Sequence, residues 1–287
     1  MHRSPAHGHP VALSDLSVEY PAHGASEAHV ALHGIDLRLA PGEVVGILGS
    51  AGSGKSTLAK VLSGAFLDPK DAEVRPVITG GEARVLGHRL RRRMSRRRLA
   101  EHQFHVGYLP QDAASRLPAD RSVGELVGEP ILARDRHYDP RALASRVASL
   151  VDAVRLPLGM LEKFPYELSG GQRQRVAIAR SLVLGPSLYI ADEPTAGIDL
   201  TVRDVVAQII SELRESQRFA AIVISHDLPV LRRVADRIAV LDKGAVVALG
   251  TIDEVLDDPH HPYVKALAGA LDGGHAIIDD LDQRPTD

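Results

Sequence analysis

The stretch "PGEVVGILGSAGSGKS", residues 41–56, decides the fold of this chain. A Pro-Gly turn opens it, and the continuous apolar run that follows suits a β-strand buried on both faces, as in a parallel sheet. The segment "GSAGSGKS", Gly49 to Ser56, then matches the pattern G-x-x-x-x-G-K-S/T between that strand and a helix beginning near Lys55. This strand–loop–helix order predicts a phosphate-binding loop on an α/β core.

The residue types of the loop suit a nucleoside triphosphate. Glycines at 49, 52 and 54 let successive backbone N–H groups turn inward around phosphate oxygens, and the following helix adds the positive end of its dipole. Lys55 is predicted to reach the β- and γ-phosphates, and the Ser56 hydroxyl to ligate Mg²⁺. The predicted ATP contacts here are Gly49, Ser50, Ala51, Gly52, Ser53, Gly54, Lys55, Ser56 and Thr57.

Further strands and helices can be placed around this loop. The runs "SLYIAD" (187–192) and "FAAIVIS" (219–225) are also continuous and apolar, and helical patterns separate them, which favours a mostly parallel sheet. The alternating stretches "VALSDLSVEY" (11–20) and "IDLRLA" (35–40) are typical of half-buried antiparallel strands. Residues 112–165 carry helical patterns without a strand-like run, so we predict a helical insertion there.

Composition excludes several classes of protein. The chain has 287 residues and no cysteine, which excludes disulfides, thiolate zinc sites and cysteine-ligated iron–sulfur clusters. Neither a signal peptide nor an apolar run of the roughly 18–20 residues that span a bilayer is visible. We therefore expect a cytoplasmic protein, and any work at a membrane requires another chain to supply the membrane part.

The stretch "LYIADE", residues 188–193, ends a strand with two carboxylates. Asp192 at the strand tip can hold the shell of a Mg²⁺ ion, whereas Glu193 points elsewhere and can polarise an attacking water. In a chain without other motifs, two such residues would be interpreted as ordinary surface acids. Because this chain also has an intact phosphate-binding loop, the two carboxylates predict hydrolysis of the bound nucleotide.

The stretch "LSGGQRQR", residues 168–175, is the most specific motif in the chain. Ser169 and Gln172 form a Ser-x-x-Gln capping box, which predicts that a helix begins here and runs to Gly185–Pro186. A plain capped helix explains these two residues but not the paired glycines between them. Gly170 and Gly171 leave the first turn without side-chain bulk, so an anionic group can approach the helix N-terminus closely.

With these motifs in this order over residues 11–250, the chain resembles the ATP-binding-cassette (ABC) ATPases, whose signature is LSGGQ. The resemblance implies a RecA-like, mostly parallel sheet, an antiparallel β subdomain and an inserted helical subdomain. It also implies a head-to-tail dimer with ATP between one subunit's phosphate loop and the other's LSGGQ helix. The residues implied to contact ATP across the dimer are Ser169, Gly170, Gly171, Gln172 and Asp199.

The resemblance implies further site residues. Gln111 in "YLPQD" matches the glutamine that senses Mg²⁺, His226 in "ISHD" matches a histidine contacting the γ-phosphate, and Tyr20 is a candidate platform for the adenine. The implied catalytic residues are Glu193, His226 and Lys55, and the implied Mg²⁺ ligands are Ser56, Gln111 and Asp192. The loop before Asp199 reads Ala-Gly-Ile where many members have Ser-Ala-Leu, which puts crosstalk between the two ATP sites in doubt.

Within the family, a separate cassette resembles the ATPase subunit of a bacterial importer. The stretches at 162–195 and "DDPHHPYVKALAGAL" (257–271) resemble the peptide/nickel group. This implies uptake of peptides or nickel and other metal chelates through two transmembrane permease subunits, at the cytoplasmic face of the membrane. A second ABC ATPase subunit, as homodimer or heterodimer, and an extracytoplasmic solute-binding protein would complete the transporter, with no nucleic acid expected.

A non-transport ABC ATPase acting on nucleic acid is the alternative, because "RLRRRMSRRR" (89–98) holds seven arginines in ten positions. The chain is nonetheless acidic overall, at −3, so the basic character is local, whereas nucleic-acid binders more often carry a basic excess across one face. We interpret the run as a solvated helix face. Contact with acidic permease loops or anionic lipid headgroups is the sharper hypothesis.

The termini complete the predicted organisation. Residues 1–10 are expected to be a disordered tail, with residues 11–250 forming the ABC ATPase domain. The stretch "RIAVLDKGAVVALG" (237–250) is typical of a hairpin turning at Lys243–Gly244. In the C-terminal part, residues 251–287, "TIDE" is expected to cap a final helix before a loose tail.

Overall fold

A computed structural model describes residues 8–24, 26–67, 75–91, 94–198, 200–217, 219–257 and 259–272. Its strands are β1 (Val11–Tyr20), β2 (His29–Leu39), β3 (Val44–Gly49), β4 (Val77–Val85), β5 (His88–Arg89), β6 (Val106–Leu109), β7 (Leu188–Asp192), β8 (Ala220–Ile224), β9 (Arg237–Asp242) and β10 (Ala245–Gly250). Its α-helices are α1 (Lys55–Ser63), α2 (Arg96–His105), α3 (Val123–Leu132), α4 (Pro140–Ala153), α5 (Gly170–Leu182), α6 (Leu200–Gln217), α7 (Leu228–Val234), α8 (Ile252–Asp257) and α9 (Pro262–Asp272).

The six-stranded sheet has the order β10-β9-β3-β8-β7-β6, and only β10 runs antiparallel to its neighbour. Every residue of β3, β7 and β8 is buried, which confirms the prediction that these apolar runs are strands covered on both faces. In parallel neighbours the carboxyl ends meet at one edge of the sheet. The chain segments that follow β3, β7 and β8 therefore lie side by side.

The four-stranded sheet has the order β2-β1-β4-β5 and is antiparallel throughout. The two predicted alternating stretches form β1 and part of β2, as expected. Strand β3 separates two hydrophobic cores: Val45 and Ile47 pack in the core shared with the antiparallel sheet, whereas Val44 and Leu48 pack in the core on the other face. The phosphate-binding loop thus follows a strand that is clamped between both cores.

Helices α3 and α4 lie between β6 and β7 in the chain. Residues 112–165, all of which the structure describes, hold no strand. Ser122 and Glu125 form a reciprocal capping box at the start of α3. Both helices contact α5, so the helical segment packs against the helix that carries "LSGGQ".

The chain ends differ in part from expectation. His9 and Pro10 fall in the predicted disordered tail, but the His9 ring bonds to the Leu39 carbonyl at 3.2 Å and the Pro10 carbonyl accepts from Leu86 N at 2.8 Å. Residues 1–7 and 273–287 of the predicted tails lie outside the described residues. No helix in the described part of the chain is both long and apolar enough to cross a membrane.

The predicted hairpin and C-terminal cap are both present. Strands β9 and β10 turn at Lys243–Gly244, which have φ of 46° and 81°, as a two-residue hairpin turn requires. Thr251 and Glu254 cap the next helix through bonds of 2.8 and 3.3 Å. Two helices, α8 and α9, follow where one was predicted, because Pro262 starts a new helix.

Candidate active site

The end of the phosphate-binding loop is held close to a neighbouring strand, which explains the glycine at position 54. A Cβ atom on Gly54 would lie 2.5 Å from the Ala31 carbonyl oxygen, and Gly54 has a left-handed φ of 100°. Gly54 is also the N-cap of α1 and offers no side-chain cap. The N–H groups of the first turn of α1 are therefore left for an anion, since a helix leaves its first four donors without intrahelical partners.

Lys55 extends back across this loop. Its Nζ donates to the carbonyl oxygens of Gly49 and Ser50 at 2.9 and 2.6 Å, and lies 3.5 Å from Ser53 Oγ. The ammonium group is therefore fixed at the mouth of the loop. A phosphate cradled by the loop would lie directly beside this charge.

Asp192, at the end of β7, is buried beside the helix that follows the loop. It is 2% exposed, and its Oδ1 has no hydrogen-bond partner in the described part of the chain. Burial raises the pKa of this carboxyl to about 6, although a hydrogen bond from Ser56 acts in the opposite direction. Ser56, Gln111, Asp192 and Tyr20 line one cavity of about 270 Å³. A hydroxyl, an amide and a carboxylate with one oxygen that accepts no hydrogen bond in the described part of the chain form an oxygen donor set that suits Mg²⁺.

Glu193 leaves the strand in a different direction from Asp192. Its φ of 51° is in the left-handed region, which costs a non-glycine residue about 1–3 kcal/mol. Glu193 Oε1 accepts from the backbone N–H of His226 at 3.1 Å, and Nδ1 of His226 lies 2.9 Å from Oε2. The tips of β7 and β8 thus bring together Glu193, which was predicted to polarise the water, and His226, which was predicted to contact the γ-phosphate.

The LSGGQ segment has the predicted cap. Gln172 N donates to Ser169 Oγ at 3.3 Å, and Ser169 N donates to Gln172 Oε1 at 2.8 Å. Ser169 and Gly170 are exposed. None of residues 168–172 lines the two cavities described beside the phosphate-binding loop.

Two positioning contacts were missed from the sequence. Gln174 is 2% exposed, and its Nε2 donates to the Pro194 carbonyl at 2.7 Å, directly after Glu193. Arg203 donates to the Ile198 carbonyl at 3.2 Å and to Asp227 Oδ2 at 2.9 Å. The stretch "QRQR" could have indicated the contact of Gln174, since a glutamine on the buried face of a helix needs a hydrogen-bond partner. Asp199, predicted to act across the dimer, lies outside the described residues.

The arginine run is only partly a helix. Ser95 caps α2, and Arg96, Arg97 and Arg98 form its exposed first turn, where the described residues offer them no carboxylate partner. Residues 92 and 93 lie outside the described residues. The predicted solvated helix face is therefore present for the second half of the run.

The raised pKa of Asp192 predicts how the free energy of unfolding depends on pH. Because its pKa is raised to about 6, the folded protein binds this proton more tightly than the unfolded chain does. The free energy of unfolding should therefore rise as the pH falls through 6 towards 4. Asp192→Asn removes this cost, so we expect that variant to be about 1–3 kcal/mol more stable than the wild type at pH 8, and the difference to vanish near pH 4.

Urea unfolding of both proteins without nucleotide, at pH 8 and near pH 4, measures this difference. Asp253→Asn, at an exposed ion pair with Arg232, is the matched control and should change stability little at either pH. An Asp192→Asn variant that is less stable than the wild type at pH 8 would contradict the prediction.

Comparisons with known proteins agree with this geometry. Residues 32–196 match the family described as ABC transporter. The oligopeptide transport ATP-binding protein OppF of Lactococcus lactis is 34% identical over 90% of this chain and 79% of its own length. The putative phosphonates utilization ATP-binding protein PhnK of Escherichia coli is 37% identical over 83% of this chain and 90% of its own length.

Solved structures give the same result for the fold. A dimeric ATP-binding cassette in a post-hydrolysis state, bound to ADP and Pi, superposes with a TM-score of 0.72 at 27% identity, covering 84% of this chain and 98% of that one. The cbiO1 protein of Clostridium perfringens, part of an ABC transporter complex, superposes with a TM-score of 0.72 at 25% identity, covering 88% and 92%. These likenesses confirm the predicted fold class.

Proposed function

This chain belongs to the ABC transporter family of ATP-binding proteins and hydrolyses ATP, and from that premise we propose that it powers an importer of oligopeptides or similar small solutes. The observation that supports this proposal most is the convergence of the phosphate-binding loop, Asp192 and the Glu193–His226 pair at one edge of the sheet. The substrate class is supported by similarity to OppF across most of this chain.

The chemistry follows from the residues at that edge. Glu193 accepts a proton from the attacking water, and His226 holds the Glu193 carboxylate in place through its backbone N–H. Lys55 neutralises charge that develops on the transferred phosphoryl group. Ser56, Gln111 and Asp192 would hold Mg²⁺, which when bound offsets the negative charge of the phosphates.

The site is completed by a second ABC ATPase subunit. The exposed N-terminus of α5 offers its dipole to an anion, and the segment from Ser169 to Gln172 lines neither of the two cavities described beside its own loop. We infer that this segment and Asp199 contact ATP held by the partner subunit. Similarity to a solved dimeric cassette bound to ADP and Pi supports the arrangement.

The remaining partners are two transmembrane permease subunits and, indirectly, an extracytoplasmic solute-binding protein, which places the chain at the cytoplasmic face of the membrane. The relatives described above are named for oligopeptide transport and phosphonate utilisation. They lend support to peptides and none to nickel or to the nucleic-acid alternative.

Purification of the chain from membranes tests whether it binds the proposed permease subunits. The tagged chain, extracted from membranes of its own host in mild detergent, is expected to bring down two permease chains, identified by mass spectrometry. Added oligopeptide and binding protein should then stimulate its ATP hydrolysis. ATP hydrolysis stimulated by DNA or RNA instead, with binding that falls steeply as salt rises, would favour the nucleic-acid alternative.

A further inference from the structure

The first turn of α2 carries three consecutive arginines that no carboxylate neutralises. Arg96, Arg97 and Arg98 are all exposed, and none of them forms an ion pair or a side-chain hydrogen bond with the described residues. Glu101 is the only acidic residue of α2, and it does not pair with them. The first turn of α2 therefore presents an uncompensated positive charge to its surroundings.

These charges lie where the helix itself disfavours them. The N-terminus of a helix is the positive end of its dipole, so cations in the first turn destabilise the helix and acidic residues would stabilise it. Other exposed arginines of this chain have partners: Arg116 lies 2.6 Å from Asp112, and Arg232 lies 3.2 Å from Asp253. Three unpaired cations that do not stabilise their own helix point to an anionic partner outside the chain.

The other half of α2 is fixed to the rest of the protein. His102 is 1% exposed, and its Nε2 lies 2.9 Å from the carbonyl oxygen of Leu62 in α1. The Arg134 guanidinium lies 4.6 Å from the ring centroid of Phe104 and donates to the Ala100 carbonyl at 2.9 Å. The arginines are therefore presented to solvent on a rigid support.

The spacing of the three arginines distinguishes between kinds of anion. Consecutive residues of an α-helix point in directions about 100° apart, because one turn holds about 3.6 residues. The three guanidinium groups therefore diverge around the helix axis. A small anion needs donors that converge on one point, whereas diverging cations suit a plane of many anionic headgroups.

We propose that Arg96, Arg97 and Arg98 form a surface that binds the anionic phospholipid headgroups of the membrane. This inference rests on the proposed function, because that function places the chain at the cytoplasmic face of the membrane. Each arginine near an anionic membrane raises the partition coefficient about fivefold, so three raise it about 100-fold. The surface lies outside the residues proposed to bind or hydrolyse ATP.

Flotation of the full chain with vesicles tests this surface. The wild type is expected to bind vesicles of phosphatidylglycerol and phosphatidylcholine in equal amounts, to bind pure phosphatidylcholine poorly, and to be released by salt, which screens exposed charges. The triple variant Arg96→Gln, Arg97→Gln, Arg98→Gln should lower the partition coefficient for the anionic vesicles about 100-fold. Lysine at the same three positions keeps the charge and should restore binding to near the wild-type value.

The matched control removes three positive charges from separate exposed positions: Arg38→Gln in β2, Arg141→Gln in α4 and Arg232→Gln in α7. Its net charge equals that of the glutamine variant of α2, yet it should bind anionic vesicles almost as the wild type does. Basal ATP hydrolysis is expected to be unchanged in every variant, which checks that each protein is folded.

Three results would overturn the inference: a wild type without preference for anionic vesicles, a glutamine variant of α2 that binds them normally, or an equal loss of binding in the control. Binding of duplex DNA, but not of vesicles, that the same variant loses would assign the surface to nucleic acid instead. If permease chains copurify but anionic vesicles are not bound, only this inference fails. If vesicles are bound but no permease copurifies, the proposed function fails and the lipid-binding surface stands.

Discussion

Replacing Glu193 with glutamine is expected to slow ATP hydrolysis by about 10²- to 10⁴-fold, the range that a positioned general base contributes. Glutamine has the same shape, so the hydrogen bond that Glu193 Oε1 accepts from His226 N–H can persist. The variant should still bind ATP, and it should accumulate as the ATP-bound dimer because the step that separates the subunits is blocked. Phosphate release and size-exclusion chromatography with ATP measure the two effects.

Glu212→Gln is the matched control for that experiment. Glu212 pairs with Arg155 at the surface, 2.7 Å away, and both side chains are well exposed. We expect hydrolysis within twofold of the wild type there, as is usual for a surface ion pair. Ordinary turnover by Glu193→Gln would show that another group accepts the proton.

Replacing Lys55 with methionine is expected to lower kcat/KM for ATP by about 10²- to 10³-fold, the loss typical of removing one preorganised electrostatic contact. The carbonyl oxygens of Gly49 and Ser50 hold Nζ at 2.9 and 2.6 Å, so the charge is positioned before the nucleotide arrives. Methionine keeps most of the side-chain length but places no charge there. Steady-state hydrolysis over a range of ATP concentrations gives the value.

Lys265→Met, on the exposed side of α9, removes the same charge away from the loop and should leave kcat/KM unchanged. Circular dichroism of both variants checks that the helices remain folded. A Lys55→Met protein with wild-type kcat/KM would exclude the proposed role of this ammonium group.

Local patterns predicted the parts of the fold that depend on local physics. Continuous apolar runs identified β3, β7 and β8, because a strand covered on both faces has no polar side to alternate. The capping pair of Ser169 and Gln172 identified the start of α5, because a cap is made within four residues. The split between α8 and α9 was missed, since a cap marks where a helix starts and not how far it runs.

In the candidate site, too, the sequence predicted what local patterns determine and missed the contacts between residues that are distant in the chain. Residues at strand tips, such as Asp192 and His226, could be placed together because the parallel order of the sheet brings their strands to one edge. The bond from Gln174 to the Pro194 carbonyl joins residues 20 positions apart, and no periodicity reports it. The stacking of His29 on Tyr20 was also missed, because it depends on how two strands pair and how their connection turns.

The segment from Pro194 to Ile198 is bonded at both of its ends. Gln174 of α5 holds the first carbonyl, and Arg203 of α6 holds the last while also bonding Asp227. A short segment fixed at two points moves with its supports instead of bending between them. Pro194 directly follows Glu193, so a displacement of α5 would move the backbone at Glu193 through the hydrogen bond from Gln174. The rate of hydrolysis would then depend on the position of α5.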